Sequence, residues 1–130
     1  MTDKYVIDSS LWIEIERKNM RIRNQISPFI QKNQVCLVDL IIAEVLRGVQ
    51  SIKDFTLLKE AFLNFTILKT DWFNVAELGF KLSKKGYHPP LGDLYIAHCV
   101  MQHKKTLLTQ DKDFLDIQHV FPKLSMEMIS

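Results

Sequence analysis

The stretch VCLVDLIIAEVLRG, residues 35–48, places a short apolar run directly before a helical segment that is also apolar. The run Val35-Cys36-Leu37-Val38 is typical of a buried strand, because it contains no polar residue. Asp39 opens the helix, which we predict to close at Gly48. A buried strand followed at once by a helix predicts one unit of a sheet that helices cover.

The same alternation of strands and helices continues along the chain. We predict further strands at residues 5–7, 65–68, 106–109 and 124–129. We predict helices at residues 9–17, 21–32, 52–64 and 71–85, another from residue 92, and one turn of helix over 111–115. Short strands that are apolar throughout and separated by helices indicate a parallel sheet covered on both faces. The predicted fold class is therefore α/β.

The charge count excludes several classes of surface. The 130 residues include 17 Lys and Arg against 15 Asp and Glu, a formal net charge of +2. That near-balance excludes a basic tail, an acidic disordered segment and a strongly polycationic surface. The length predicts one domain over residues 1–130, with a core large enough to need no disulfide.

Three further features predict a cytoplasmic protein with no membrane partner. Cys36 and Cys99 lie far apart, with no neighbours at metal-ligand spacing, so we expect two buried thiols in a reducing compartment. No signal peptide is visible, because no basic region followed by an apolar stretch opens the sequence. The most apolar segment, residues 35–46, contains two carboxylates and is far shorter than a membrane span.

Glu44 is the acid least explained by solvation at the surface. Its helix is apolar nearly all round, which predicts that the helix is buried, and its same-face neighbours Leu40 and Ile41 offer no counter-charge. An unpaired buried carboxylate costs several kcal/mol, so Glu44 should hold a cation or a proton. An ion pair with Arg47 is the structural alternative.

Four other acids stand at the ends of strands or the starts of helices. Asp8 directly follows the first strand and could simply cap the next helix, as Asp93 could cap its own helix. Asp93, however, begins the apolar stripe of that helix and therefore points toward the side that packs. Asp111 follows the fourth strand, and Asp113 could be a solvated acid or the cap of the last short helix.

Parallel topology would bring Asp8, Glu44, Asp93 and Asp111 to one edge of the sheet. In the strand order 3-2-1-4-5, the first and fourth strands are neighbours roughly 4.8 Å apart, and their junction is where such sheets bind ligands. Two like charges about 4 Å apart cost roughly 4 kcal/mol at an effective dielectric near 20, so the cluster needs protons or a divalent cation. Oxygen ligands suit Mg²⁺ or Mn²⁺, and the chemistry that fits is metal-assisted attack of water on a phosphodiester.

Four short motifs contain these acids. They are Asp8-Ser9-Ser10, Ala43-Glu44-Val45-Leu46-Arg47-Gly48, Asp93-Leu94-Tyr95-Ile96-Ala97 and Leu108-Thr109-Gln110-Asp111-Lys112-Asp113-Phe114. In this order and spacing the chain resembles the PIN-domain ribonucleases, and within them the VapC-type toxins of type II toxin–antitoxin systems. The resemblance implies a single PIN domain over residues 1–130. It also implies a three-layer α/β/α sandwich with a central parallel sheet of about five strands.

The resemblance also implies a function and its residues. The expected activity is that of a Mg²⁺- or Mn²⁺-dependent endoribonuclease that cuts structured RNA, such as a tRNA or ribosomal RNA loop. The catalytic and metal-binding acids of the family match Asp8, Glu44, Asp93 and Asp111. Its supporting positions match Ser9, Thr109 and Asp113.

The partners that the resemblance implies are the RNA substrate, a VapB-type antitoxin that docks over the active edge, and a second copy of the chain. The segment with Trp12, Ile13 and Ile15 is either helix core or a contact for the antitoxin or the second protomer. The densest basic stretch, residues 17–23, is a candidate contact for RNA. Without the four clustered acids the rest of the chain carries a formal charge of +6, which would attract a polyanion.

Two other function classes are considered. A phosphoacceptor receiver has paired acids after its first strand, and a phosphohydrolase has an acid two residues after its nucleophile; here Asp8 is followed by two serines. A non-catalytic PIN-like module that binds RNA or protein is the second alternative, and the presence of all four acids disfavours it. The four histidines show no metal-ligand arrangement and are expected at the surface or in packing.

Overall fold

We describe residues 3–130 from a computed structural model of the chain. Five strands alternate with seven helices along these residues. The strands are β1 (Tyr5–Ile7), β2 (Val35–Val38), β3 (Ile67–Leu68), β4 (Thr106–Thr109) and β5 (Ser125–Met128). The helices are α1 (Ser9–Glu16), α2 (Met20–Gln31), α3 (Asp39–Leu46), α4 (Ile52–Phe62), α5 (Trp72–Lys84), α6 (Leu91–Gln102) and α7 (Asp113–Val120). Within residues 3–130 no helix combines the length and the apolar character that crossing a membrane requires.

The sheet is parallel throughout, in the order β3-β2-β1-β4-β5. β1 is its centre, because Val6 pairs with Cys36 of β2 on one side and with Leu107 of β4 on the other. The predicted fold class and strand order are thereby confirmed. Every strand ends at the same edge, so the residues after β1, β2 and β4 meet there.

The central strands are buried by helices on both faces of the sheet. Seven of their apolar residues have no exposed surface: Val6, Ile7, Cys36, Leu37, Val38, Leu107 and Leu108. Such complete burial is what the unbroken apolar runs predict, because neither face of a strand needs a polar side chain. Cys36 and Cys99 are free and buried, as expected.

The segment between α5 and α6 positions the start of α6. α5 ends at Lys84, and Gly86 follows two residues later in a left-handed conformation. Its φ of +89° suits glycine because no Cβ is present to clash. The chain then passes through Pro89, and Pro90 occupies the N-cap of α6 in an extended conformation. Asp93 therefore lies in the first turn of α6 and does not cap it, contrary to the alternative considered from the sequence.

Several elements differ in extent from the predictions, β3 and α7 among them. β3 begins at Ile67 and not at residue 65, because Phe65 packs edge-on against Trp12, with 6.1 Å between the ring centroids. α7 has 8 residues where one turn over 111–115 was predicted. It is longer because Phe114 and Ile117, both fully buried, continue its apolar face toward the core.

Candidate metal centre

Five carboxylates gather at the edge where the parallel strands end. We call this group the acidic edge: Asp8, Glu44, Asp93, Asp111 and Asp113. Asp8 caps α1 directly after β1, and Asp111 comes two residues after β4. Glu44 is on α3, Asp93 is in the first turn of α6, and Asp113 is the first residue of α7.

Asp8 is held by three hydrogen bonds in a buried position. Its side chain is 3% exposed. Oδ1 accepts the Ser9 N–H at 2.9 Å, while Oδ2 accepts the hydroxyls of Ser10 at 2.9 Å and Thr109 at 2.8 Å. Burial raises the pKa of the Asp8 carboxyl, although these three hydrogen bonds act in the opposite direction. Asp8 is thus both the helix cap and a member of the acidic edge.

Thr109 connects Asp8 to the acids that follow β4. The pairing of Ile7 with Leu108 places Thr109 beside Asp8, and the Asp8 N–H donates to the Leu108 carbonyl at 2.9 Å. Thr109 Oγ1 donates to Asp8 and accepts the Asp111 N–H at 3.0 Å. Because Thr109 is fully buried, water does not compete for its hydroxyl, which therefore holds Asp8 and Asp111 at a fixed distance.

Asp113 joins the acidic edge through a local turn. Its N–H donates to Asp111 Oδ1 at 2.9 Å, which turns the chain so that both side chains face the same region. One carboxylate oxygen from each of Asp93, Asp111 and Asp113 lies within 4.8 Å of the others. The supporting residue Asp113 is therefore among the acids that could hold an ion.

Asp93 shows the effect of crowding most strongly. Burial, followed by the charges of Asp111, Asp8 and Asp113, raises the pKa of Asp93 from 3.8 to about 7. Its Oδ2 is buried and has no hydrogen-bond partner. Without a cation, Asp93 therefore keeps its proton in an appreciable fraction of molecules near pH 7.

Glu44 completes the group from the α3 side. The pKa of Glu44 is raised, mainly by burial and also by the charge of Asp8. The Ser9 side chain and the charge of Arg47 act in the opposite direction. Its Oε1 is buried and has no hydrogen-bond partner. Its Oε2 lies close to Gly92, where a Cβ in place of the glycine hydrogen would be only 3.4 Å away. Glu44 therefore packs against the start of α6, the helix that carries Asp93.

Two expectations about Glu44 need correction. Glu44 and Arg47 form no ion pair among the residues that the structure describes, so the structural alternative is wrong. α3 is not buried all round either: Ile41 and Val45 are buried, while Ala43 is exposed. The reason is that α3 lies on the outside of the sheet, so one stripe alone packs inward.

The donor set of the acidic edge fits a divalent cation that prefers oxygen. All candidate ligands are carboxylate oxygens, which is typical of Mg²⁺ and Mn²⁺ sites and not of zinc sites. Two buried oxygens, Glu44 Oε1 and Asp93 Oδ2, have no hydrogen-bond donor. An ion there would supply the positive charge that these oxygens lack.

The histidines take no part in the acidic edge. His98 Nδ1 lies 2.8 Å from Thr70 Oγ1, and His103 Nε2 lies 2.9 Å from the Lys69 carbonyl. Both side chains thus fasten α6 to the segment that follows β3, in the packing role expected for them. No feature of the sequence indicates this shared attachment, because residues 69–70 and α6 are distant along the chain.

Comparisons with known proteins agree with the fold. The family described as PIN domain matches residues 5–120. No curated protein matches the chain.

Three solved structures share its architecture. VapBC2 from Rickettsia felis, bound to a promoter DNA fragment, has a TM-score of 0.75 and 21% identity, covering 95% of this chain and 97% of that chain. DNA-bound VapBC from Salmonella typhimurium has a TM-score of 0.74 and 17% identity, covering 96% and 97%. FitAcB from Neisseria gonorrhoeae has a TM-score of 0.66 and 18% identity, covering 94% and 95%.

We expect Asp93→Asn to stabilise the metal-free protein, most of all at alkaline pH. The raised pKa means that folded Asp93 keeps a proton that unfolded Asp93 loses, so this residue reduces stability as pH rises from about 4 toward 7. Asparagine removes that penalty. In EDTA the melting temperature should rise by about 3–6 °C at pH 8 and by less at pH 5, where only part of the penalty has developed.

Mg²⁺ should then stabilise Asp93→Asn less than the wild type. Asp116→Asn, at an exposed position of α7, is the matched control and should leave both quantities unchanged. An Asp93→Asn protein that melts like the wild type at pH 8 would mean that the acids do not repel one another as described.

We expect Thr109→Val to weaken both the fold and the metal centre. Valine keeps the buried shape, but Asp8 loses a donor and the Asp111 N–H loses its acceptor, a cost of about 1–3 kcal/mol. Thermal unfolding should show the loss, and a Mg²⁺ titration should show weaker binding.

Thr106→Val is the control, because Thr106 is also buried on β4 but bonds Ser125, at 2.8 Å. Its Mg²⁺ affinity should match that of the wild type. Equal loss of Mg²⁺ affinity in both variants would contradict the role assigned to Thr109.

Proposed function

Because the chain belongs to the PIN domain family, we propose that it is a metal-dependent endoribonuclease and the toxin of a toxin–antitoxin pair. The observation that carries this proposal is the acidic edge, where carboxylate oxygens of Asp93, Asp111 and Asp113 lie within 4.8 Å of one another. We also propose that residues 1–130 form one PIN domain, since the family match extends over residues 5–120.

In this proposal Asp8, Glu44, Asp93 and Asp111 are the metal-binding and catalytic acids, and Asp113 supports them. A bound Mg²⁺ or Mn²⁺ would polarise the phosphoryl group and lower the pKa of the attacking water. The chain's own contribution is to hold the acids in place before substrate arrives. Rigid placement matters because small misplacements of catalytic groups cost large factors in rate.

Each supporting residue has a definite positioning role. Ser9 gives its N–H to Asp8 at 2.9 Å, and its side chain lowers the pKa of Glu44, so it lies between acids of two elements. Thr109 gives its hydroxyl to Asp8 and accepts from the Asp111 backbone. The acids therefore keep their spacing although their charges repel.

The substrate class is RNA, in structured molecules of the tRNA or ribosomal RNA type. The charge distribution supports a polyanionic substrate, since the chain without its four catalytic acids carries a formal charge of +6. We place this activity in the cytoplasm, where such substrates are found.

Purified protein should cleave labelled bulk RNA in Mg²⁺ and fail to do so in EDTA. Asp8→Asn should lower the rate by at least about a hundredfold, the scale on which active-site electrostatic groups act. Asp116→Asn, on the exposed face of α7, should retain wild-type activity.

Cleavage that persists in EDTA or in Asp8→Asn would contradict this mechanism. Wild-type protein that binds RNA without cleaving it would favour the alternative function, a non-catalytic PIN-like module that binds RNA or protein.

The proposed protein partner is a VapB-type antitoxin. Solved structures that share this fold are described as VapBC complexes. A cleft of about 350 Å³ between α1 and α3, lined in part by Ile13, Val45 and Gly48, could accept a segment of such a partner. Trp12 is only 5% exposed and belongs to the core, so Ile13 is the better contact residue of this segment.

We propose a second copy of the chain as the other partner. α5 exposes aromatic side chains that a soluble monomer would be expected to bury: Trp72 is 51%, Phe73 90% and Phe80 61% exposed. Phe73 and Phe80 are seven residues apart and share one face of the helix. An apolar face of this kind marks an interaction surface.

The double variant Phe73→Glu with Phe80→Glu should be monomeric, because two charges would have to be buried in the dimer. Light scattering after size exclusion should give a dimer for the wild type and half that mass for the variant. Ile52→Glu, at a position on α4 that is 80% exposed, is the control and should remain dimeric. A wild-type monomer, or a dimeric double variant, would exclude α5 as the dimer interface.

A further inference from the structure

Lys112 adjoins two acids of the acidic edge in sequence and is paired with neither. It stands between Asp111 and Asp113, whose carboxylate oxygens are within 4.8 Å of one another and of Asp93. Its side chain is exposed. Among residues 3–130 it forms no ion pair with either neighbouring aspartate.

Two other lysines of the chain pair with acids. Lys81 Nζ lies 3.0 Å from Glu77, and Lys105 Nζ lies 3.8 Å from Asp3. Lys112 has two acids as immediate neighbours in sequence but forms an ion pair with neither of them. Its charge is therefore not used to hold the fold together.

The backbone around Lys112 is fixed, although its side chain is free. The Asp113 N–H donates to Asp111 Oδ1 at 2.9 Å, and the Lys112 carbonyl accepts the Leu115 N–H at 3.0 Å. Lys112 occupies the N-cap of α7 with helical dihedral angles, φ −70° and ψ −15°. The ammonium group is consequently tethered to the rim of the acidic edge by a rigid main chain and a flexible stem.

The carboxylates of this edge repel the phosphates of an RNA strand that approaches it. Arg47 moderates the charge on the α3 side, where it lowers the pKa of Glu44. On the α7 side, Lys112 is the basic residue that adjoins Asp111 and Asp113 in sequence. A compact ammonium on a long stem is well suited to a phosphate oxygen, which it can follow as the strand settles.

We propose that Lys112 binds a phosphate of the substrate strand next to the phosphodiester that is cleaved. This inference rests on the proposed function, since it assigns a contact to the substrate of the same site. The flanking phosphate is the target because the ammonium stays beyond ion-pair distance of the carboxylates that would surround the reacting group. Lys112 is thus a substrate-binding residue, and its loss should act on KM and Kd more than on kcat.

Binding is measured with a short fluorescein-labelled RNA hairpin, by anisotropy, in an Asp8→Asn background that prevents cleavage. Adding Lys112→Ala should weaken binding about three- to tenfold near physiological salt. It should also reduce the slope of log K against log salt by about 0.7–0.9, the loss of one phosphate contact. Lys112→Arg should restore both values, because the charge is kept.

Lys53→Ala is the matched control, since Lys53 is an exposed lysine on α4. It should leave affinity and salt slope unchanged. In the cleavage assay without the Asp8 substitution, Lys112→Ala should raise KM by a similar factor while kcat stays within about twofold. The melting temperature of Lys112→Ala should equal that of the wild type.

Lys112→Ala that binds RNA like Lys53→Ala, with the same salt slope, would overturn the inference even if the wild type cleaves RNA. A fall in kcat with unchanged KM would also overturn it. If the wild type binds RNA but cleaves none, reduced binding by Lys112→Ala would support the contact while the nuclease proposal fails. A wild type that does not bind RNA would overturn both.

Discussion

Repulsion among carboxylates at one edge of a parallel sheet is the constraint on which the other features of this site depend. Burial and mutual charge raise the pKa of Asp93 to about 7, and burial raises the pKa values of Asp8 and Glu44. A chain that collects acids in this way must offset the cost locally. It does so with the hydroxyls of Ser10 and Thr109, the N–H of Ser9, and a proton on Asp93.

The frame that withstands this repulsion is the pairing of β1 with β4. Both strands have fully buried central residues, and their register sets Leu108 beside Ile7 and Thr109 beside Asp8. Dense apolar packing permits little relaxation, so the acids cannot simply move apart. The oxygens that remain without donors, Glu44 Oε1 and Asp93 Oδ2, are then available to a cation. The repulsion at the acidic edge lowers the stability of the fold, and the packing of β1 and β4 offsets that loss.

Much of this arrangement could be predicted from the sequence, for identifiable reasons. Unbroken apolar runs identify buried parallel strands, and parallel strands require that Asp8 and Asp111 share an edge. The length of α7 and the half-exposed state of α3 were predicted wrongly, because both depend on which stripe of a helix meets the core. The position of Asp113 depends on one hydrogen bond to Asp111 Oδ1. Lys112 forms no ion pair among residues 3–130, although acids flank it on both sides in sequence. Such local geometry leaves no periodic pattern in the sequence.

The central claim is that the acidic edge is a binding site for a divalent cation. Diffraction from crystals grown with Mn²⁺ tests it most directly, because the anomalous signal of the ion locates it without reference to activity. We expect an anomalous peak within the acidic edge, in contact with carboxylate oxygens of Asp93 and Asp111, and no such peak in crystals of the Asp93→Asn variant. Ordered carboxylates with no peak among them at saturating Mn²⁺ would contradict the account.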